Sequence, residues 1–310
     1  MFSCWVGGTL ALPGVAFAQQ THLLVVTGVT ADDEHAQKFR KLASDFIDAA
    51  KTKEAVPAAN ITLLASPQST KPNVEKAFAD LAARAKPNDT VVILLIGHGS
   101  FDGRAGAFNL PGPDLTAAEW GRLLDRLKTQ RVAFVNTASS SGAFLADLSV
   151  PGRVVVTATK TGGEKNETLF PDYFVAAFTD VAADRDRNGH VSIAEAFDYA
   201  RTHVKQAYDQ KGLILTEHAT LYDLPDGGLS ARMYLGIGRA EAALNVDMSD
   251  PEVRALVEQR DALDRQVAEL KAKKGAMPEE MYDAQMEKLL TDLALKTKAL
   301  RDRQAKKDRP

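Results

Sequence analysis

Two strand-like segments of this sequence end in residues suited to acid–base and nucleophilic chemistry. The run Thr90–Ile96 leads into His98, and the run Arg131–Val135 leads into a serine-rich turn that contains Ser139 and closes at Gly142. A histidine beside a hydroxyl is a base beside a nucleophile. Glycines let the backbone approach a substrate closely, and free amides in such turns bind an oxyanion. The chemistry indicated is acyl transfer.

These residues meet only if their strands are neighbours in a parallel sheet. Apolar, β-branched runs alternate with amphipathic segments, which predicts an α/β fold: a mostly parallel sheet with helices on both faces. The predicted strands are 22–27, 61–65, 90–96, 131–135, 153–157 and 216–222, and the predicted helices are 33–51, 73–84, 116–128, 170–181 and 192–210. Since function lies at the carboxyl ends of parallel strands, we expect His98 and Ser139 at one edge.

The twelve residues 184–195 have the spacing of an EF-hand calcium loop. Side-chain oxygens fall at positions 1, 3 and 5, glycine at 6, a backbone carbonyl at 7 and glutamate at 12. The donor positions are filled by Asp184, Asp186, Asn188, His190 and Glu195. The spacing predicts one structural Ca²⁺ site of modest affinity. The alternative is a polar turn in which Ser192 begins a helix and arginines pair with the acids.

Composition narrows the class of protein. The chain has 310 residues, of which 45% are hydrophobic and 25% charged, as in a globular protein. Its 38 basic and 41 acidic residues give a net charge of −3, so no basic excess points to nucleic acid. Cys4 is the only cysteine, which excludes a disulfide framework and a thiolate zinc site. No motif for an organic cofactor occurs.

The first residues have the pattern of a signal peptide. Residues 1–31 contain no Asp, Glu, Lys or Arg, and an apolar stretch ends in Ala16-Phe17-Ala18 before Gln19. The stretch is too short to span a membrane. We predict a signal peptide over residues 1–18 and a secreted or periplasmic, cysteine-free mature chain without a membrane span. The alternative is a buried N-terminal strand or helix.

The C-terminal part, residues 250–310, is charged and has heptad spacing. The apolar positions are Leu256, Leu263, Val267, Leu270, Met286, Leu289, Leu293 and Leu300. A break over residues 274–278 divides them, which predicts an antiparallel helical hairpin, or coiled coil. A linker over residues 229–249 is expected to join it to an α/β domain over residues 19–228. The hairpin either packs on its own domain, projects into solvent or binds a protein partner.

The two strand-end motifs resemble those of the caspase-like cysteine peptidases, and most of all the legumain-like peptidases. These carry one apolar strand ending in His-Gly and another ending in Ala-Cys-x-Ser-Gly. Here residues 138–142 read Ala-Ser-Ser-Ser-Gly, so Ser139 occupies the cysteine position, 41 residues after His98 and near the spacing of about 50 in caspases. A caspase-type register puts Ser140 there instead; the preceding alanine favours Ser139. The resemblance covers about residues 20–223 and implies a caspase-like sheet acting on peptide or protein substrates.

The resemblance also implies roles. His98 corresponds to the general base, Ser139 to the nucleophile, and the amides of Gly99 and Ser139 to the oxyanion hole. A serine hydroxyl is far less acidic than a thiol and needs its base within hydrogen-bond reach. Two hypotheses follow: an endopeptidase that uses Ser139, or an inactive pseudo-peptidase that keeps the cleft to bind a peptide or partner. A third is an envelope scaffold that self-associates through the hairpin.

The wall of the implied substrate site is the loop after the fifth predicted strand. Lys160, Glu164 and Asn166 in this loop are candidates to select a polar substrate side chain, or they lie in solvent. Asp102 is close to His98 in sequence, but we expect it to shape the turn that follows.

Overall fold

The structure is a computed structural model that describes residues 20–129, 131–223, 228–236, 250–272 and 277–307. The predicted signal peptide, with Cys4, lies outside the described residues, as do residues 237–249 of the predicted linker.

The centre of the molecule is a six-stranded sheet. Its strands are β1 (Thr21–Thr27), β2 (Ile61–Leu64), β3 (Thr90–Ile96), β7 (Val132–Asn136), β8 (Arg153–Thr157) and β9 (Thr220–Tyr222). They lie in the order β2-β1-β3-β7-β8-β9; the first five are parallel and β9 is antiparallel to β8. A small antiparallel sheet is inserted between β3 and β7 and consists of β4 (Gly99–Phe101), β5 (Gly106–Phe108) and β6 (Leu115–Thr116).

Helices cover both faces of the main sheet. They are α1 (Asp33–Thr52), α2 (Lys71–Arg84), α3 (Ala117–Leu124), α4 (Leu145–Leu148), α5 (Phe170–Ala177) and α6 (Ile193–Gln210). Because side chains alternate along a strand, Leu23 and Val25 of β1 pack with α1, α5 and α6, whereas Leu24 and Val26 pack with α2 and α3. The predicted fold class is therefore confirmed: a mostly parallel α/β sheet with helices on both faces.

Side-chain caps fix where the helices begin. Asp32 accepts the His35 amide at the start of α1. A capping box of Thr116 and Glu119 starts α3, and a second one, of Ser192 and Glu195, starts α6. These caps satisfy amides that have no partner within the helix, so the sequence itself sets the boundaries.

Three predicted elements are shorter than expected by about four residues. Helix α3 ends at Leu124 and not at residue 128, and α5 ends at Ala177 and not at residue 181, where Val181 is exposed. Strand β9 begins at Thr220 and not at residue 216. Just before β9, the Glu217 carboxylate accepts the amides of Leu169 and Phe170 at the start of α5. Residue 217 thus holds α5 in place and lies outside the strand.

Two helices form the C-terminal part, α7 (Pro251–Ala272) and α8 (Glu279–Lys307). They are antiparallel, since Arg303 near the end of α8 pairs with Glu252 and lies 4.0 Å from Asp250 at the start of α7. Their buried side chains follow heptad spacing: Val253, Val267, Leu270, Tyr282 and Leu300. The predicted helical hairpin is present. In the described ranges, every helix is too short or too polar to span a membrane.

The predicted linker begins too early. Residues 228–236 belong to the α/β domain, because Met233 and Leu235 are fully buried in the core that contains α1, α5 and α6. The Met233 carbonyl accepts the amide of Ile193, and Ser192 forms a β-bridge with Tyr234. The first residues of the predicted linker are thus part of the folded α/β domain.

Candidate active site

The sheet brings the two strand-end motifs together. Strands β3 and β7 are parallel neighbours, with Val91 opposite Val132 and Leu95 opposite Asn136. The segments that follow them meet at the carboxyl edge of the sheet. There the Ser139 hydroxyl donates to the Gly99 carbonyl and accepts the Gly99 amide, each at 3.2 Å. The residue after His98 is thus bonded directly to the predicted nucleophile.

Glycine is required on both sides of this junction. A Cβ atom on Gly99 would lie 2.4 Å from the Ser139 carbonyl oxygen, which is closer than real Cβ atoms come to backbone. A Cβ atom on Gly142 would lie 2.3 Å from the carbonyl carbon of Lys160. The loops after β3, β7 and β8 therefore touch backbone to backbone, an approach that only glycine permits.

The two candidate nucleophiles have different surroundings. Ser139 is 4% exposed, and its hydroxyl accepts a hydrogen bond from the Gly99 amide and donates one to the Gly99 carbonyl. Ser140 is 1% exposed and has a left-handed backbone, with φ of 55°, which is uncommon for a residue other than glycine. Its amide donates to the Glu164 carbonyl at 2.8 Å, while its buried hydroxyl has no hydrogen-bond partner among the described residues. Strained backbone of this kind is concentrated at functional sites.

His98 lies half-buried between two rings. Its ring centroid is 5.4 Å from that of His35 and 5.4 Å from that of Phe39. Burial lowers the pKa of His98 below its ordinary value; Glu167 opposes this shift, and the positive charges of His35 and Lys38 reinforce it. A histidine with a lowered pKa is neutral at pH 7, the form that accepts a proton.

Asp102 does not orient His98. Its Oδ1 atom accepts the amides of Arg104 and Ala105, each at 2.8 Å, and so closes the turn between β4 and β5. The prediction that Asp102 shapes this turn is confirmed. In the part of the chain that the structure describes, the His98 ring forms no hydrogen bond, and only ring contacts define its surroundings.

The loop after β8 contains the three residues predicted to bind substrate. One of them bonds to the protein itself, and the other two are exposed. The Glu164 carboxylate accepts the amides of Lys160 at 2.9 Å and His218 at 3.0 Å, and it pairs with the His218 ring at 2.7 Å. Lys160 and Asn166 are exposed. Glu164 therefore holds the loop in shape, while the other two side chains face solvent at the rim of the site.

Sequence reasoning missed a charged cluster beside His98. Nδ1 of His35 lies 2.8 Å from both carboxylate oxygens of Asp32, and Nε2 lies 3.2 Å from Glu167. Lys38 donates to Glu167 at 2.8 Å and lies 3.5 Å from Asp172. The topology could have indicated this cluster. Strand β1 is parallel to β3, so the segment after β1 must lie at the same edge of the sheet as His98.

The predicted calcium loop folds around its acids. Oxygens of Asp184, Asp186 and Glu195 lie within 4.8 Å of one another, a donor set that suits a hard divalent cation. Asn188 is turned elsewhere: its Oδ1 accepts the His190 amide and its Nδ2 donates to the Tyr234 hydroxyl. The structure thus brings three of the predicted ligands together, and these residues fit calcium.

Side chains also anchor the calcium loop to the domain. The His190 ring pairs at 3.1 Å with Glu54, a buried residue just after α1. One Glu195 oxygen completes the capping box of α6, while the other accepts the amides of Arg185 and Asp186. The N-cap role that was the alternative to calcium binding is therefore present, and it leaves the cluster of three acids intact.

Two solved structures partly superpose on this chain. One is the crystal structure of drICE, with a TM-score of 0.40 and 8% sequence identity, covering 67% of this chain and 89% of drICE. The other is a secreted C11 cysteine protease from Bacteroides thetaiotaomicron in complex with an irreversible peptide inhibitor. Its TM-score is 0.36 at 11% identity, covering 62% of this chain and 60% of that one.

No protein-family model matches the sequence, and no curated protein matches it either. What the chain does is therefore inferred from the residues and geometry of the site.

Proposed function

We propose that this chain is a caspase-like peptidase homologue of the legumain type that hydrolyses peptide bonds with Ser139 and His98. The observation that carries the proposal is the pair of hydrogen bonds between Gly99 and Ser139. Two motifs that lie 41 residues apart, and that together resemble one known active site, converge there at the carboxyl edge of a parallel sheet.

The proposed reaction begins with a proton transfer. The Ser139 hydroxyl gives its proton to the neutral His98 ring while its oxygen attacks the substrate carbonyl carbon. The resulting oxyanion accepts hydrogen bonds from the amides of Gly99 and Ser139. When the tetrahedral intermediate collapses, the C–N bond breaks and His98 returns the proton to the leaving amine. Water then hydrolyses the acyl-enzyme by the same route.

Substrate binding must first free the Gly99 amide. At rest this amide donates to the Ser139 oxygen. A substrate carbonyl that takes the amide as its own donor leaves the hydroxyl free to turn towards His98. The exchange replaces one hydrogen bond by another, so its energetic cost is small. The lowered pKa of His98 keeps the base neutral at pH 7.

A second candidate function is a non-catalytic module that binds a peptide or protein partner. It is favoured by the hydroxyl of Ser139, which is buried and bonded to Gly99 in both directions. In this case the loops after β3, β7 and β8 form a recognition surface, and the hairpin over residues 250–310 holds the partner. Tight binding without cleavage distinguishes this function from the first.

We also propose that Ca²⁺ binds the loop over residues 184–195. Asp184, Asp186 and Glu195 would hold the ion, and its chemistry is to neutralise their mutual repulsion. The role is structural, because the loop positions the start of α6. The signal-peptide pattern of residues 1–18 supports a location outside the cytoplasm, where calcium is sufficient for a site of modest affinity.

The experiment is cleavage of a diverse peptide pool by the chain that starts at Gln19, read by mass spectrometry with calcium and with chelator. Ser139→Ala and Ser140→Ala are compared in parallel. We expect cuts after a consistent residue type that disappear in Ser139→Ala. Cuts that disappear only in Ser140→Ala would identify Ser140 as the nucleophile. If the folded protein makes no cuts, the peptidase function is refuted and the binding function is retained.

A further inference from the structure

We propose that His35 is a positioning residue for His98, and that Asp32 and Glu167 hold it as an imidazolium whose ring fixes the orientation of the His98 ring. The inference rests on the proposed function, because it gives His35 a part in the proton transfers of His98. It concerns a residue that the strand-end motifs do not contain.

The first argument is the packing of His98. Its ring is tilted at 58° to the ring of His35 and at 61° to the ring of Phe39, both at 5.4 Å between centroids. Positions 35 and 39 are one helical turn apart, so α1 presents both rings on one face. The His98 carbonyl accepts the amide of Asn109 at 3.0 Å, which fixes the backbone. The side chain is then oriented by the two rings of α1.

The second argument is that His35 is itself held at both ring nitrogens. Asp32, the N-cap of α1, binds Nδ1, and Glu167, from the loop after β8, binds Nε2. A ring bonded to a carboxylate at each nitrogen donates twice, as only the protonated form does. The hydrogen bonds that the ring donates to Asp32 and then to Glu167 raise the pKa of His35 above its ordinary value. The ring cannot rotate without breaking both contacts.

Among the described residues, the ionisable groups near His35 come from α1 and from the loops after β3 and β8. Asp32 and Glu167 face it directly, His98 lies against its ring, and Lys38 reaches Glu167 from the same helix. Burial opposes ionisation of Glu167, but hydrogen bonds from Lys38 and His35 outweigh it and lower the pKa of Glu167. Both anions therefore stay charged at neutral pH, and each ring nitrogen of His35 lies against one of them.

An imidazolium beside His98 has an electrostatic consequence. A second positive charge close to the first is unfavourable, so protonation of His98 is disfavoured. The base stays neutral and ready to accept the proton of Ser139. His35 thus orients His98 and adds to the effect of burial in keeping its ring neutral, without touching the reacting atoms.

The first test needs no substrate. Histidine-selective NMR of the full mature chain follows the six imidazoles with pH, and His98→Gln and His35→Gln assign the two signals. We expect His35 to titrate above its ordinary 6.5 and His98 below it. If His98 titrates at or above the pKa of His35, the proposal is wrong.

The second test separates charge from packing. His35→Phe keeps a ring beside His98 and removes the charge, and we expect the pKa of His98 to rise by about 0.5 units or more. Lys41→Gln is the matched control, since it removes a cation from an exposed position of α1 that pairs with Asp45. An unchanged His98 titration in a folded His35→Phe protein overturns the proposal.

If the protein cleaves peptides, its kinetics give an independent test of the role of His35. In His35→Phe the acid limb of the kcat profile should move to higher pH, with KM nearly unchanged. An acid limb that stays in place contradicts the proposal. Since the NMR titrations do not depend on cleavage, an inactive protein refutes the peptidase function and leaves the His35–His98 relationship measurable.

Discussion

The Lys71 ammonium, at the start of α2, lies 2.5 Å from a carboxylate oxygen of Glu119 in the first turn of α3. The other Glu119 oxygen accepts the amide and the hydroxyl of Thr116, each at 3.0 Å. Lys71 first, and then Thr116, lowers the pKa of Glu119 to about 2. One carboxylate therefore joins two helices on the face of the sheet that does not contain α1.

The first prediction concerns Glu119 and stability. Glu119→Gln keeps an acceptor for the capping box but loses the charge, so we expect a loss of about 1–3 kcal/mol in the free energy of unfolding at pH 7. The pKa of Glu119 is depressed on folding, so its contribution is present above about 4.5 and disappears as the pH falls towards about 2. Urea unfolding at several pH values measures the difference.

The matched control for Glu119 is Asp80→Asn. Asp80 pairs with Lys76 within α2 at 2.8 Å, and both side chains are largely exposed. Exposed pairs of this spacing contribute little because solvent screens them, so this variant should barely change stability. Equal losses in the two variants would refute the special role of Glu119.

The second prediction concerns the nucleophile. Ser139→Cys restores the residue that the resembling peptidases carry, and a thiolate forms without a tightly bonded base. We expect peptide cleavage to rise by on the order of tenfold or more over the unmodified chain. Because Cys4 lies in the predicted signal peptide, Ser139→Cys is the only thiol of the mature chain.

Alkylation tests whether the new activity comes from the thiol at position 139. Iodoacetamide should inactivate Ser139→Cys at one site, identified by mass spectrometry, and should leave the unmodified chain untouched. Ser140→Cys is the comparison, since its side chain follows a left-handed backbone. Faster cleavage by Ser140→Cys than by Ser139→Cys would show that the caspase-type register is the correct one.

The third prediction concerns Gly99. In Gly99→Ala the new methyl group meets the Ser139 carbonyl, so either stability or the bond between Gly99 and Ser139 must be lost. We expect a loss of about 1–3 kcal/mol in thermal or urea unfolding, together with any cleavage activity. Gly163→Ala, where the nearest atom lies at 3.5 Å, should fold like the parent. A Gly99→Ala protein with parental stability and activity would contradict the geometry.

The fourth prediction concerns calcium. A tenfold excess of Ca²⁺ over its Kd should raise the Tm by about 3–5 °C. Glu195→Gln keeps an acceptor for the α6 capping box and should abolish the shift, whereas Asp198→Asn removes an acid that pairs with Arg185 and Arg201 and should keep it. Calorimetric titration gives the affinity. A calcium shift that survives in Glu195→Gln would place the ion elsewhere.

Much of the fold could be predicted from the sequence because β-branched runs and helix caps act locally. The runs at Thr90–Ile96 and Arg153–Thr157 match β3 and β8 residue for residue, and Asp32 and Ser192 set the starts of α1 and α6. The ends of α3 and α5 were not predicted, because no glycine or proline marks them. After each helix the chain continues as turns, with amides bonded to carbonyls three residues back.

The site was predictable only where its members follow strands. His98 and Ser139 do so, and parallel pairing brings their loops together. The contact of His35 with Glu167 joins residues 132 positions apart in two loops, and no periodicity relates them. The bonds from Glu217 to the start of α5 are of the same kind. Such contacts depend on where the loops lie in space.

The bridge between Ser192 and Tyr234 ties the start of α6 to the segment that precedes the hairpin in the chain. Tyr234 also accepts a hydrogen bond from Asn188, so the segment before the hairpin is fastened to the calcium loop. The loop predicted to bind calcium is therefore a point of attachment for residues 228–236, so a change in the shape of that loop reaches the chain that leads into the hairpin.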